Sequence, residues 1–169
     1  MVNIITDPSR GFNEFPSWAV FPSSTASIRK ITLFVTYECP DSLHCGEWDY
    51  IDHIYLGRAG GLGSSAQHLE IARLISPYGW RFDQEWSFTW KVDVTDFSLL
   101  LRDSTEIVFN HTGYENNTDR GWLVTCRFEV ITGRPARELL GMDTLWQGSF
   151  PYGDSSGSIE NYLSPRTII

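Results

Sequence analysis

Hydrophobic and polar positions alternate with a period of two in several short runs, which predicts strands. Ile28–Tyr37 (IRKITLFVTY) sets Ile31, Leu33, Val35 and Tyr37 against Thr32, Phe34 and Thr36, a strand partly buried on both faces. In EWDYIDHIYL (47–56), Trp48, Tyr50, Ile54 and Leu56 share one face. Glu47, Asp49, Ile51, His53 and Tyr55 share the other. Leu69–Ile75 is a strand stopped by Ser76-Pro77-Tyr78-Gly79. Trp86–Val94 aligns Trp86, Phe88, Trp90, Val92 and Val94 on one face. Thr105–Asn110 and Gly121–Thr132 complete the strands, the latter expected to be the longest. The one helical signal is TDFSLLLRDS, where Thr95 or Asp96 could cap a single turn carrying Phe97, Leu100 and Leu101.

Gly- and Ser-rich 57–67 and the polar stretch TGYENNTDRG (112–121) read as loops. Many short strands separated by turn signals, with no long helix, indicate an all-β antiparallel sandwich or jelly roll. The expected organisation is one domain over residues 1–132 followed by a weakly patterned segment, 133–169. There the apolar groups LLGMDTLW, FPY and YLSPRTII suggest a docking arm.

Composition agrees with a packed core: 169 residues, 41% hydrophobic and 14% aromatic. The net charge is −8 and only two lysines occur, Lys30 and Lys91. Without clustered Lys and Arg, nucleic acid is not an expected partner. No apolar run approaches the roughly 20 residues of a membrane span, and the N-terminus does not read as a signal peptide. Three localisations follow: work inside the cell that makes it, release by another route such as assembly into a particle freed by lysis, or a sequence that begins after a removed leader.

Three cysteines are too few for a disulfide scaffold. Cys126, in an apolar run, reads as a buried small hydrophobe. Cys39 and Cys45 bracket five residues. That spacing suits a stapled hairpin, with free thiols as the alternative. The set Cys39, His44, Cys45 and Asp49 is incomplete as a metal site, so no metal or other cofactor is expected. Asp49 lies between two aromatics. Sharing a face with Glu47 and His53, it could serve acid–base chemistry, or it could sit on the solvated face of a half-buried strand. Asn110-His111-Thr112 and Asn116-Asn117-Thr118 match the glycosylation tripeptide and read as polar loop residues. Trp90 and Trp122 are expected in the core, whereas Trp80 and Tyr114, near loops, are candidates for a sugar-stacking surface.

The run ITLFVTYECP…HCGEWDYIDHIYL, then EIARLISPYG, then WKVDVTDFSLLLRDSTEIVF, resembles the N-terminal domain of the peptide-N-glycosidase F family. These are secreted bacterial amidases that remove N-linked glycans from asparagine. The resemblance covers about Ile28–Val130, extended by ITGRPARELLGM. It implies an eight-stranded antiparallel jelly roll, two of which pack side by side in the family with the active site in the cleft between them. It also implies a Cys39–Cys45 disulfide and gives Asp49 the place of the essential acid. The residue after that acid is basic in the family enzyme and is Tyr50 here. The second active-site carboxylate aligns with Thr112, and Glu115 could replace it only with a repositioned loop. A third carboxylate belongs to the second jelly roll, which would begin about where this chain ends.

The expectation that follows is a non-enzymatic jelly-roll module in a larger assembly, such as a virion decoration or tail protein. It would bind protein partners or its own copies, with glycans possible through Asp49, Trp80, Tyr114 and Glu115. The alternative is an N-glycan amidase fragment that needs a second jelly roll for activity.

Overall fold

Alternation along each run turns into two facing sheets. The computed structural model of the protein describes residues 2–5, 12–57, 69–113 and 119–142. Ten strands appear among them: β1 (Val2–Ile5), β2 (Phe12–Val20), β3 (Ile28–Glu38), β4 (His44–Cys45), β5 (Ile51–Leu56), β6 (Leu69–Ile75), β7 (Ser87–Asp93), β8 (Ser104–Thr112), β9 (Arg120–Gly121) and β10 (Leu123–Thr132). Eight of them form two four-stranded sheets, ordered β1-β10-β3-β7 and β2-β8-β5-β6. Every described pairing within these two sheets is antiparallel. Each connection except β5–β6 passes from one sheet to the other, which is the winding of a jelly roll. The short β4–β9 pair is parallel and lies outside both sheets.

The core lies between the sheets. Ile31, Leu33, Val35 and Tyr37 of β3 are fully buried and meet Ile54, Leu56, Ile107 and Phe109 from the facing sheet. Each such aliphatic side chain contributes about 1.5–3 kcal/mol when removed from water. The intervening β3 residues are half-buried, as the mixed pattern predicted.

Several expectations are corrected. No regular strand covers 47–50, so β5 begins at Ile51. Glu47 is buried while Asp49 is exposed, and the two do not share a strand face with His53. Trp90 is 38% exposed, because β7 is an edge strand and its inward side is only partly covered. Asn110 is a buried residue of β8 rather than a loop residue. The helical turn is a 3-10 turn, Thr95–Phe97, preceded by Val94 with no side-chain cap. β3, with 11 residues, is longer than β10, with 10. Strands β1 and β2 were not anticipated.

The chain divides into two units, Met1–Glu138 and Leu139–Ile169. The sandwich belongs to the first. Of the second only Leu139–Met142 is described, as irregular chain, and the rest of the expected docking arm lies outside the described residues.

Candidate functional site

Strand direction gathers the connections 39–50 and 76–86, with residues 119–122, at one end of the sandwich. Cys39 and Cys45 form a disulfide there, with Cα atoms 4.4 Å apart. Gln84 donates from its side chain to the carbonyls of Pro40 and Leu43, tying 76–86 to the stapled loop. The Gly79 amide donates to the Gly46 carbonyl at 3.1 Å. Both glycines lie against the buried Trp122 indole, which a Cβ at either position would overlap. Arg120 donates to the Cys45 carbonyl at 3.1 Å and stacks its guanidinium over Trp80 at 4.3 Å. Three separate segments are thus locked together.

Asp49 emerges from this scaffold. Its backbone neighbours are fixed: the Tyr50 amide donates to Ser76 Oγ at 2.9 Å, and the Ser76 amide donates to the Tyr50 carbonyl at 2.8 Å. The Asp49 side chain is exposed and has no hydrogen bond or ion pair among the described residues. Trp48, 42% exposed, meets Tyr78 edge-on at 5.5 Å. Trp80, 38% exposed, belongs to the same loop cluster. The structure therefore brings Asp49, Trp80 and the Cys39–Cys45 staple to one end, and adds Trp48 and Tyr78. Tyr114 and Glu115 lie outside the described residues. An exposed carboxylate among aromatic faces can accept hydroxyl and amide protons from a sugar whose apolar face stacks on a ring. A pocket of about 270 Å³ lined by Trp18, Leu56, Leu69, Leu100 and Glu106 lies at the opposite end of the sandwich, away from Asp49.

One cluster was missed. Asp52, on the inward face of β5, is fully buried. Its Oδ2 accepts from the Tyr37 hydroxyl at 2.6 Å, and its Oδ1 lies 2.6 Å from His111 Nδ1. Burial, then the Asp52 charge and its hydrogen bond, push the Tyr37 hydroxyl far above its ordinary range, so it stays protonated and donates. Burial, then Asp52, push the Cys126 thiol up to about 12. The tyrosine, the aspartate and the imidazole come from three strands in two sheets. Only Asp52 sitting on an otherwise apolar face could have signalled them.

No family model matches the chain. Among curated proteins, peptide-N(4)-(N-acetyl-beta-D-glucosaminyl)asparagine amidase F of Elizabethkingia miricola is 29% identical over 120 residues, covering 68% of this chain and 30% of that protein. Among solved structures, recombinant N-glycanase F superposes with a TM-score of 0.57 at 25% identity, covering 80% of this chain and 43% of that one. PNGase F of Flavobacterium meningosepticum, described as a glycosylasparaginase, gives 0.56 at 25% identity and the same coverage. The sandwich is a PNGase F-like jelly roll. The chain spans less than half the length of these relatives.

Proposed function

We propose that this jelly roll supplies one wall of an N-glycan asparagine amidase site, with Asp49 as its acid and a further carboxylate brought by a second jelly roll. The observation that carries this reading is an exposed Asp49 carboxylate with no partner among the described residues, at a disulfide-fixed loop end; the resemblance gives it the place of the family's essential acid. The named relatives are amidases, which favours this reading over a non-enzymatic assembly component such as a virion protein.

Hydrolysis of the glycosylamine amide needs an activated water and a proton for the departing nitrogen. One carboxylate cannot hold both protonation states at once, and pairs of carboxylates with separated pKa values divide that work in enzymes of this kind. Thr112 offers no acid at the second position. On this reading, the chain alone is inactive toward a denatured glycoprotein, and mixing it with an excess of an amidase's second jelly roll produces glycan release. Asp49→Asn abolishes that release. Failure of the mixture to release glycan at any ratio sinks the proposal.

A second reading, glycan binding without cleavage, is favoured by the exposed Trp48, Tyr78 and Trp80 beside Asp49. It expects retention on immobilised N-glycan that is lost in both Trp80→Ala and Asp49→Asn. Binding unchanged by either substitution removes it.

A further inference from the structure

A fully buried aspartate in a β-sandwich needs partners, since a charge taken out of water is costly unless hydrogen-bonded. Asp52 has two, and their arrangement sets a protonation state. Tyr37, on β3, is fully buried and donates to Oδ2. His111, on β8, is 2% exposed and stands directly across from Asp52 in the antiparallel ladder. An ionised carboxylate only accepts, so an ionised Asp52 requires the proton of that hydrogen bond on His111 Nδ1. In the neutral ring that leaves Nε2 unprotonated, the orientation an aspartate imposes on a neighbouring imidazole in many acid–base sites.

The outward end of that ring meets the loop end described above. A Cβ at Gly113 would overlap His111, most closely at Nε2, so Gly113 lets the imidazole lie against the backbone where β8 ends. On another side the Tyr50 ring stands edge-on to His111, 5.8 Å between centroids at 85°. Tyr50 directly follows Asp49, and His111 directly precedes Thr112. The titratable groups around the imidazole and its carboxylate are Asp52 on β5, Tyr37 on β3, Cys126 on β10 and Tyr50 ahead of β5. Tyr37 and Cys126 keep their protons, both shifted upward first by burial.

We propose that Tyr37, Asp52 and His111 form a buried positioning relay, which fixes the His111 imidazole with Nε2 unprotonated beneath Tyr50 and through Tyr50 holds the backbone that carries Asp49. The relay touches no substrate. It links the rigid space between the sheets to an exposed acid of the loop end, and it takes a place beside Thr112, where this chain lacks the family's second carboxylate. Its catalytic consequence rests on the amidase reading. Its geometry does not.

The test has two arms on the full chain. Long-range proton–nitrogen NMR of labelled protein at neutral pH reads the His111 tautomer directly. The relay expects Nδ1–H with Nε2 unprotonated, and expects Asp52→Asn to change that tautomer balance. An Nε2–H tautomer in the wild type overturns it. His111→Gln, whose amide still reaches toward Asp52, should shift the backbone signals of residues 46–50 and leave those of Trp18 and Val20 at the far end in place. A disturbance spread evenly over the sandwich, or none near Asp49, overturns the positioning role. If His111→Gln does not fold, Tyr37→Phe serves for the same comparison. In the second arm, with a second jelly roll supplied, His111→Gln should lower kcat by ~10- to 100-fold with KM little changed, the signature of a misplaced group, and should alter the pH profile of release. Unchanged kcat removes the catalytic role. If the wild type releases nothing, the amidase reading falls, and the relay is still decided by the NMR arm.

Discussion

Asp49 and Asp52 are three residues apart and live in opposite surroundings. Asp49 is exposed, holds no partner among the described residues and stands on loops pinned by a disulfide and an indole. Asp52 is fully buried and spends both carboxylate oxygens on Tyr37 and His111. The first can change partners and protonation at little structural cost. The second cannot lose a partner without stranding a charge. Substitutions that separate the two roles therefore separate chemistry from folding, and their effects on stability should descend from the buried acid to the exposed one.

The largest loss is expected from Asp52→Ala. Removing the shared acceptor leaves the buried Tyr37 hydroxyl and His111 Nδ1–H without partners, at roughly 1–3 kcal/mol each. Urea denaturation reads it as a lower midpoint with little change in slope. Replacing all three groups, as Tyr37→Phe, Asp52→Leu and His111→Leu together, should recover most of that loss, because an apolar replacement leaves no buried donor without an acceptor. A triple variant as unstable as Asp52→Ala would mean that side-chain volume, not the stranded donors, governs the cost.

Removing the staple comes next. Cys39→Ser with Cys45→Ser releases a short loop, which chain entropy values at roughly 2 kcal/mol. The damage should be local: faster protease cleavage within 39–50, with β3 and β5 still protected in hydrogen exchange. Uniform loss of protection would make the loop end part of the core rather than a platform on it.

Tyr37→Phe follows, at about 1–2 kcal/mol for one donor removed from a buried acceptor. It also carries a pH signature. Folding holds the protons of Tyr37 and Cys126 above their ordinary values of 10.0 and 9.0, Cys126 at about 12. The unfolded chain loses those protons first, so their contribution is complete below about pH 9 and declines as pH rises. The thermal midpoint should fall on the alkaline side, and less steeply in Tyr37→Phe. Equal alkaline slopes would remove Tyr37 from the account.

Much of the sandwich was legible because β3 sets the apolar Ile31, Leu33, Val35 and Tyr37 at every second position, a pattern with one structural solution. What escaped was set by long-range pairing. Periodicity gave Trp90 its face but not its place on the edge strand β7, which leaves it 38% exposed. Pro16 disguised β2, yet a proline is tolerated at its position because β2 is itself an edge. Asp52 interrupted an apolar face, and its partner His111 lies 59 positions away, a register that no local pattern encodes. Asp49 stood out between two aromatics, but its place as the family's acid came only through the resemblance. Alternation alone placed it on a strand face with Glu47 and His53, but His53 is engaged by Glu70 at 3.0 Å and Glu47 is buried.

The smallest effect on stability is expected from Asp49→Asn, and it completes the contrast. The exposed carboxylate loses no partner, so the unfolding midpoint should stay where it is, within the scatter of surface substitutions. The same change removes the negative charge and the proton-accepting oxygen at the loop end. With a second jelly roll present, glycan release should therefore vanish from a protein as stable as the wild type. Loss of release together with a lowered midpoint would instead make Asp49 a structural residue like Asp52. Retention of release would move the chemistry away from the EWD turn altogether. Only unchanged folding combined with lost release assigns opposite tasks to two acids on one short stretch of chain.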